Sequence, residues 1–286
     1  MAIITLTTDF GTSDGYVGAM KGVIVRLAGS HPAPIIIDLA HDIPPGDIPH
    51  AAWVVATSTT EFPPGSIHVV VVDPGVGGSR RAVIVRARDR WYVGPDNGVF
   101  AYLTSARTEA YAIENERFRA ERVSRTFHGR DVFAPAAAAI ASGDDPETAG
   151  PRVELVGRLP WSPAHGDRAR WPAQPGQDLE DEGPPEGSER EREVGRIIHV
   201  DRFGNLITDL TEAEAGRAVV VAGLTLPIVG TYEDVERGEL LAYIGSAGTV
   251  EIAVRDGRAD KRLEFVRGMP VSSVPADPAA NRGPYR

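Results

Sequence analysis

A run of apolar residues from Ile67 to Val72, interrupted only by His68, constrains the fold of this chain more than any other feature. The run is too continuous for a strand with one face in water, and it is typical of a central strand covered on both faces. Asp73 follows directly, and ligands of open α/β sheets bind at the carboxyl ends of the strands. Asp73 is therefore a candidate functional residue, although Asp-Pro-Gly is also what a plain β-turn requires.

Strands and helices alternate around this central strand. The pattern predicts further strands at 3–8, 35–39, 82–87, 91–94 and 109–114, and helices at about 16–29, 48–58 and 132–142. Polar loops follow several of the strands before a helix begins, which indicates a mostly parallel sheet with helices on its faces. We therefore expect an α/β domain over residues 1–159.

The rest of the sequence differs from the first domain in composition and then in predicted secondary structure. Residues 160–193 are rich in Pro, Gly and charged residues and poor in aliphatic ones, so we expect a flexible insertion or linker. Short predicted strands follow at 194–200, 206–209, 217–222, 224–229 and 250–254. They indicate a smaller antiparallel barrel or sandwich domain over 194–275, and residues 276–286 are expected to be a disordered tail.

Composition narrows the possible functions. The 286 residues carry a net charge of −10, which argues against general nucleic-acid binding, and they include no cysteine. No stretch resembles a signal peptide or reaches the roughly 18 apolar residues of a membrane helix. We expect a cytoplasmic protein that binds a small or cationic ligand, without nucleic acid or membrane as a partner.

Several polar residues are expected to gather at one edge of the sheet. They are Asp9, Asp14, Asp73, Arg80 and His128, with Asp201, Phe203 and Asn205 supplied by the β domain. The set lacks the spacing of a metal site, a P-loop or a dinucleotide fold. It also contains no serine or cysteine nucleophile, which argues against acyl transfer. Plainer interpretations stay open: Ser13 or Asp14 could cap a helix, His128 could be an ordinary helix-terminal residue, and 201–205 could be only a turn.

Six motifs together resemble a known family. They are TTDFGTSDGY, VDPGVGGSRR, PDNG, TFHGRDVFAP, DRFGN and IGSAGTVEIA. In this order they are similar to the S-adenosyl-L-methionine (SAM) hydroxide adenosyltransferases, or SAM hydrolases, relatives of the fluorinase and chlorinase. The resemblance implies an α/β domain, a carboxy-terminal β-barrel, and a homotrimer with active sites between the large domain of one subunit and the small domain of the next.

The resemblance also implies a reaction that uses no metal or other cofactor. Water or hydroxide attacks the ribose C5′ of SAM and releases methionine and adenosine. Asp73, Arg80 and His128 match the catalytic Asp-Arg-His set of the family. Either His128 or Asp73 takes the proton while Arg80 holds the developing hydroxide, and the sequence leaves the identity of the base open.

Other motif positions correspond to substrate contacts in the family. Asp9 matches the carboxylate that accepts both ribose hydroxyls, and Asp14 matches a position near the methionine amino group. Ser246 matches the residue that contacts the methionine carboxylate. The remaining binding candidates are Phe127, Glu251 and, for the amino-acid end and the adenine, Asp201, Phe203 and Asn205.

Departures from the halogenases favour hydrolysis. The fluorinase has a tyrosine in place of Asp73, a threonine in place of Val76, and a tyrosine and a serine in place of His128 and Gly129. A halide would meet the negative charge of Asp73 at close range. Two alternatives stay open: a halogenase similar to the chlorinase, and a non-catalytic sensor that binds SAM or a nucleoside.

Overall fold

The structure is a computed structural model that describes residues 1–29, 33–160 and 194–274. The chain divides into two compact units, residues 1–169 and 170–286. The predicted linker at 160–193, apart from Pro160, and the predicted tail at 276–286 lie outside the described residues. The domain boundaries proposed from the sequence stay predictions.

A six-stranded sheet forms the first unit. Its strands are β1 (Ile3–Thr8), β2 (Ile35–Ala40), β3 (Ile67–Val71), β4 (Ala82–Ala87), β5 (Arg90–Pro95) and β6 (Glu109–Ala112). They lie in the order β2-β1-β3-β5-β4-β6, and the first four in this order pair in parallel while β4 is antiparallel to both neighbours. Every residue of β3 is buried, so the predicted central strand and mostly parallel sheet are confirmed.

The helices of this unit are α1 (Tyr16–Leu27), α2 (Ile48–Ser58) and α3 (Ala134–Ala141). α1 buries Val17, Met20 and Ile24 at three- and four-residue spacing. The N-cap of α1 is Gly15 and makes no side-chain capping bond, so the expectation of Ser13 or Asp14 as a cap is wrong. The helix predicted at 132–142 instead opens with a π-helical turn, Gly129–Phe133, a form that is frequent at functional sites.

The second unit is a closed barrel of seven strands. They are β7 (Val194–Val200), β8 (Leu206–Thr211), β9 (Ala218–Val221), β10 (Leu224–Val229), β11 (Leu240–Ile244), β12 (Thr249–Val254) and β13 (Pro270–Val274). The predicted carboxy-terminal β-barrel is confirmed, although its β10 and β11 pair in parallel. Sequence patterns missed β11 and β13. A short helix, α4 (Ala259–Arg262), follows β12. Among the helices of the described residues, none is both long and apolar enough to span a bilayer.

His68 is a buried imidazole in the middle of the sheet. Its Nδ1 lies 2.8 Å from the Thr5 hydroxyl, and no hydrogen-bond partner for Nε2 is found among the described residues. Burial, and then the charge of Arg90, lowers the pKa of His68 to about 3. The folded protein therefore keeps this ring neutral in mild acid, where the unfolded chain binds a proton.

We expect this difference to make the protein less stable as the pH falls. Between pH 6.5 and pH 4.5 the unfolded chain takes up a proton at His68 that the folded protein does not, so His68 lowers the free energy of unfolding by roughly 2 kcal/mol across this range. His68→Asn does not titrate there and should show a correspondingly weaker pH dependence. Urea unfolding of both proteins at the two pH values measures the difference, and parallel losses of stability would contradict the assignment.

Candidate active site

Four loops meet at the carboxyl edge of the parallel strands. The loop after β2 binds the loop after β1, because the Gly46 amide donates to Asp9 Oδ2 at 2.8 Å. A Cβ placed on Gly77, in the loop after β3, would clash with the carbonyl oxygen of Arg125, in the loop before α3. Gly77 also has a φ of +74°, so glycine is required there for two reasons.

Arg80 joins the carboxylate and the imidazole at this edge. Its Nε donates to Asp73 Oδ1 at 3.0 Å, and Nη2 contacts both Asp73 Oδ2 and, at 2.7 Å, His128 Nδ1. The Asp73 and Arg80 side chains are only 4% and 11% exposed, so the pair is shielded from water. Arg80 also lies over the Phe133 ring, 5.6 Å from its centroid. The predicted association of Asp73, Arg80 and His128 is thus present as a connected set.

The contact with Arg80 assigns the tautomer of His128. A guanidinium can only donate, so Nδ1 accepts and the neutral ring carries its proton on Nε2. Burial and the charge of Arg80 lower the pKa of His128, against the opposite effects of Asp73 and Asp131. The ring is therefore neutral at neutral pH and offers an N–H at Nε2.

The PDNG segment supports the set from the neighbouring strand. Asn97 Nδ2 donates to the carbonyl oxygen of Val72 at 2.9 Å, and so fixes the backbone immediately before Asp73. Asp96 is buried and pairs with Arg81 at 2.7 Å. Arg81 is thus held by a buried carboxylate, and the segment is a loop that precedes the short 3₁₀ turn Ala101–Leu103. Sequence reasoning singled out this motif but missed these contacts.

Three aromatic rings cluster at the same edge. Phe127 lies 5.9 Å from Phe10 and 5.3 Å from Tyr16 between ring centroids, with edge-to-face geometry. The Arg130 guanidinium covers the Phe127 ring at 5.0 Å. Tyr16 is 51% exposed, so the cluster presents an aromatic surface to solvent. Phe127 was a sequence candidate, whereas Phe10 and Tyr16 were not.

The two remaining carboxylates of this unit differ in their surroundings. Asp9 is partly buried, and no partner for its Oδ1 is found among the described residues. Asp14 is exposed in the turn before α1, and in the described part of the chain no hydrogen bond joins it to the other candidates. The described residues also contain no cluster of three His, Asp or Glu side chains that could hold a metal ion.

In the barrel unit, residues 201–205 form a tight turn between β7 and β8. Asp201 accepts hydrogen bonds from the backbone and the side-chain amide of Asn205, both at 2.8 Å. Phe203 at the tip is 73% exposed. The segment is therefore a turn that presents a large apolar ring to solvent, and its role in binding stays a prediction.

A buried carboxylate lies behind this turn. Glu251 accepts a hydrogen bond from the Tyr243 hydroxyl, which lies 2.9 Å from the Tyr232 hydroxyl and 3.5 Å from Asn205 Nδ2. Burial raises the pKa of Glu251, against the lowering effect of the Tyr243 hydrogen bond. Ser246 is exposed in the turn between β11 and β12. Sequence reasoning missed both tyrosines, which no motif marks.

The chain is similar to several known proteins over most of its length. The model of the SAM hydroxide adenosyltransferase N-terminal domain matches residues 4–150, and that of the C-terminal domain matches residues 195–272. An (R)-S-adenosyl-L-methionine hydrolase of Thermus thermophilus is 40% identical, over 95% of this chain and 99% of its own. A crystal structure of a conserved hypothetical protein from Thermus thermophilus is 37% identical with a TM-score of 0.73, covering 96% of this chain and 100% of the other. A fluorinase of Nocardia brasiliensis is more distant, at 23% identity over 88% of this chain and 89% of its own.

Proposed function

The chain belongs to the SAM hydroxide adenosyltransferase family, and on that premise we propose that it hydrolyses S-adenosyl-L-methionine to adenosine and L-methionine. The observation that carries the proposal is the connected set of Asp73, Arg80 and His128 in a chain that is 40% identical to an (R)-S-adenosyl-L-methionine hydrolase. The reaction needs no cofactor, because the sulfonium makes methionine a neutral leaving group.

The chemical difficulty lies with the nucleophile, since free water has a pKa of about 15.7. As the C5′–O bond forms, the C5′–S bond breaks with its electron pair going to sulfur, and one proton must leave the attacking water. We assign this proton to Asp73. The assignment is supported by the His128 tautomer, in which Nδ1 is occupied by Arg80 and Nε2 already carries a proton. Each Asp73 oxygen keeps a second lone pair beyond its bond to Arg80.

His128 and Arg80 then act on the charge that develops at the attacking oxygen. The His128 Nε2–H donates to that oxygen, and the Arg80 guanidinium lowers the energy of negative charge in a shielded site. Because both groups are already held by hydrogen bonds, little reorganisation accompanies the reaction. His128 is thus a donor in this mechanism, rather than the base.

The binding roles follow the family resemblance. Asp9 accepts the ribose hydroxyls, Asp14 lies near the methionine amino group, and Phe127 contributes an apolar wall. The exposed Phe203 turn of the barrel, with Glu251 behind it, completes the site from a neighbouring subunit of a homotrimer. Ser246 contacts the methionine carboxylate. Light scattering of the purified protein tests the trimer, and a monomer with full activity would overturn the shared site. A cytoplasmic location stays a prediction.

Product analysis tests the function itself. We expect the purified, tag-free protein to convert SAM to adenosine and methionine at equal rates with and without chloride, because the Asp73 carboxylate disfavours an anionic nucleophile. Chromatography with mass detection separates the products. Formation of 5′-chloro-5′-deoxyadenosine would support a halogenase, and binding of SAM without any product would support a sensor.

A further inference from the structure

A buried histidine, His41, holds the loop that carries Asp9. Its Nδ1 lies 2.9 Å from the Thr8 hydroxyl, and its carbonyl oxygen accepts the amide of Gly11 at 2.8 Å. The Thr8 hydroxyl also accepts the amide of Phe10 at 3.3 Å. Asp9 therefore lies within a backbone segment that His41 contacts on both sides.

A carboxylate on the far side of the ring determines how these bonds are directed. Asp38 Oδ1 lies 3.0 Å from His41 Nε2, although this contact falls outside strict hydrogen-bond geometry. A carboxylate favours the tautomer with its proton on the nearer nitrogen, so Nδ1 accepts from the Thr8 hydroxyl. Lys21 of α1 binds the other oxygen of Asp38 at 2.6 Å. A chain of contacts thus runs from α1 through β2 to the end of β1.

The loop after β2, which contains His41, also holds the Asp9 side chain. Gly46, five residues after His41, donates to Asp9 Oδ2 at 2.8 Å. The segment 41–46 therefore fixes the Asp9 backbone through His41 and one carboxylate oxygen through Gly46. We propose that His41 is a positioning residue for nucleoside binding, which acts by holding Asp9 ready to accept the ribose hydroxyls. The inference rests on the proposed function and extends it to a residue that does not touch the substrate.

Two similar threonine–histidine hydrogen bonds on β1 allow the positioning role of His41 to be distinguished from ordinary core packing. Thr5 bonds to His68 Nδ1 at 2.8 Å, as Thr8 bonds to His41 Nδ1 at 2.9 Å. Both threonines are buried on β1, but Thr5 lies inside the strand while Thr8 directly precedes Asp9. Thr8→Val and Thr5→Val each remove a hydroxyl from the same strand and leave Nδ1 of a buried histidine unpaired. Thr8→Val also removes the acceptor of the Phe10 amide, which belongs to the same loop contact.

The experiment compares two ligands across these variants. Calorimetry measures the binding of adenosine and of 2′,3′-dideoxyadenosine, which lacks the ribose hydroxyls, and steady-state assays with SAM give KM and kcat. We expect Thr8→Val to weaken adenosine binding about tenfold and to raise KM similarly, with kcat within about threefold of the wild type. Its binding of dideoxyadenosine, and the binding of both ligands by Thr5→Val, should stay within about twofold of the wild type.

A second pair of variants tests His41 directly. His41→Asn keeps an acceptor close to the position of Nδ1, so it should bind adenosine more tightly than His41→Ala. Equal effects of Thr8→Val and Thr5→Val, or equal effects of Thr8→Val on the two ligands, would overturn the role of His41. These outcomes are distinct from failure of the proposed function, which would appear as a wild type that does not convert SAM. A wild type that converts SAM but does not bind adenosine would overturn the role of His41 in nucleoside binding alone.

Discussion

Asp73→Asn lowers kcat for SAM hydrolysis by about 10²- to 10⁴-fold and leaves KM within a few fold, if Asp73 takes the proton from water. Asparagine keeps the size of the side chain and one acceptor oxygen, but its amide is not a base. The substituted amide also places an N–H group against one of the two Arg80 donors, Nε beside Oδ1 or Nη2 beside Oδ2. Initial rates of adenosine release over a range of SAM concentrations give both constants.

The matched comparison is with His128→Gln. The glutamine amide nitrogen lies close to the position of Nε2, so this variant keeps a donor toward the substrate and removes the acceptor that Arg80 uses. We expect a smaller loss of kcat than in Asp73→Asn. Loss of all turnover in His128→Gln, with substantial turnover left in Asp73→Asn, would instead make His128 the base.

Arg80→Lys produces the second large loss, about 10²- to 10³-fold in kcat. The guanidinium offers donors in a fixed planar arrangement, two of them to Asp73 and a shared one to His128. A lysine ammonium is a compact charge on a flexible stem and cannot reproduce this geometry. The positive charge is preserved, so the loss isolates the positioning of Asp73 and His128 from simple charge balance. Stopped time-course assays at saturating SAM measure it.

Arg81→Lys is the control for this prediction. Arg81 is the next residue in the chain and pairs with the buried carboxylate of Asp96 at 2.7 Å, which also accepts the backbone amides of Val156 and Gly157. This contact anchors the 154–157 segment rather than the reacting groups. We expect Arg81→Lys to lower the Tm while kcat stays within a few fold. Equal losses of kcat in the two variants would contradict a specific role for Arg80.

Much of the fold could be predicted because its signals are local. The apolar run of β3 and the spacing of Val17, Met20 and Ile24 on α1 each report burial directly, and both predictions are confirmed. The family prediction is confirmed as well, since its motifs cover both units. β13 was missed because its burial depends on β7 and β9, which are distant in the sequence. β11 lies between its chain neighbours β10 and β12, but its apolar run LLAYI lacks the alternation of a half-buried strand.

The residues of the site could be predicted from the sequence, but the hydrogen bonds between them could not. Motifs indicated Asp73, Arg80 and His128, yet the tautomer of His128 follows only from the contact of its Nδ1 with Arg80. The support from Asn97 requires β5 to lie beside β3, which local sequence does not specify. The same holds for His41, whose contact with Thr8 depends on the pairing of β1 with β2.

The most direct test of the account is the fate of the water oxygen. SAM is incubated with the wild-type protein in ¹⁸O-labelled water containing chloride, and the nucleoside product is analysed by mass spectrometry. The account predicts adenosine with one ¹⁸O atom at the 5′ position, because water attacks C5′ as methionine leaves. Unlabelled adenosine, or a 5′-chloro nucleoside in its place, would contradict it.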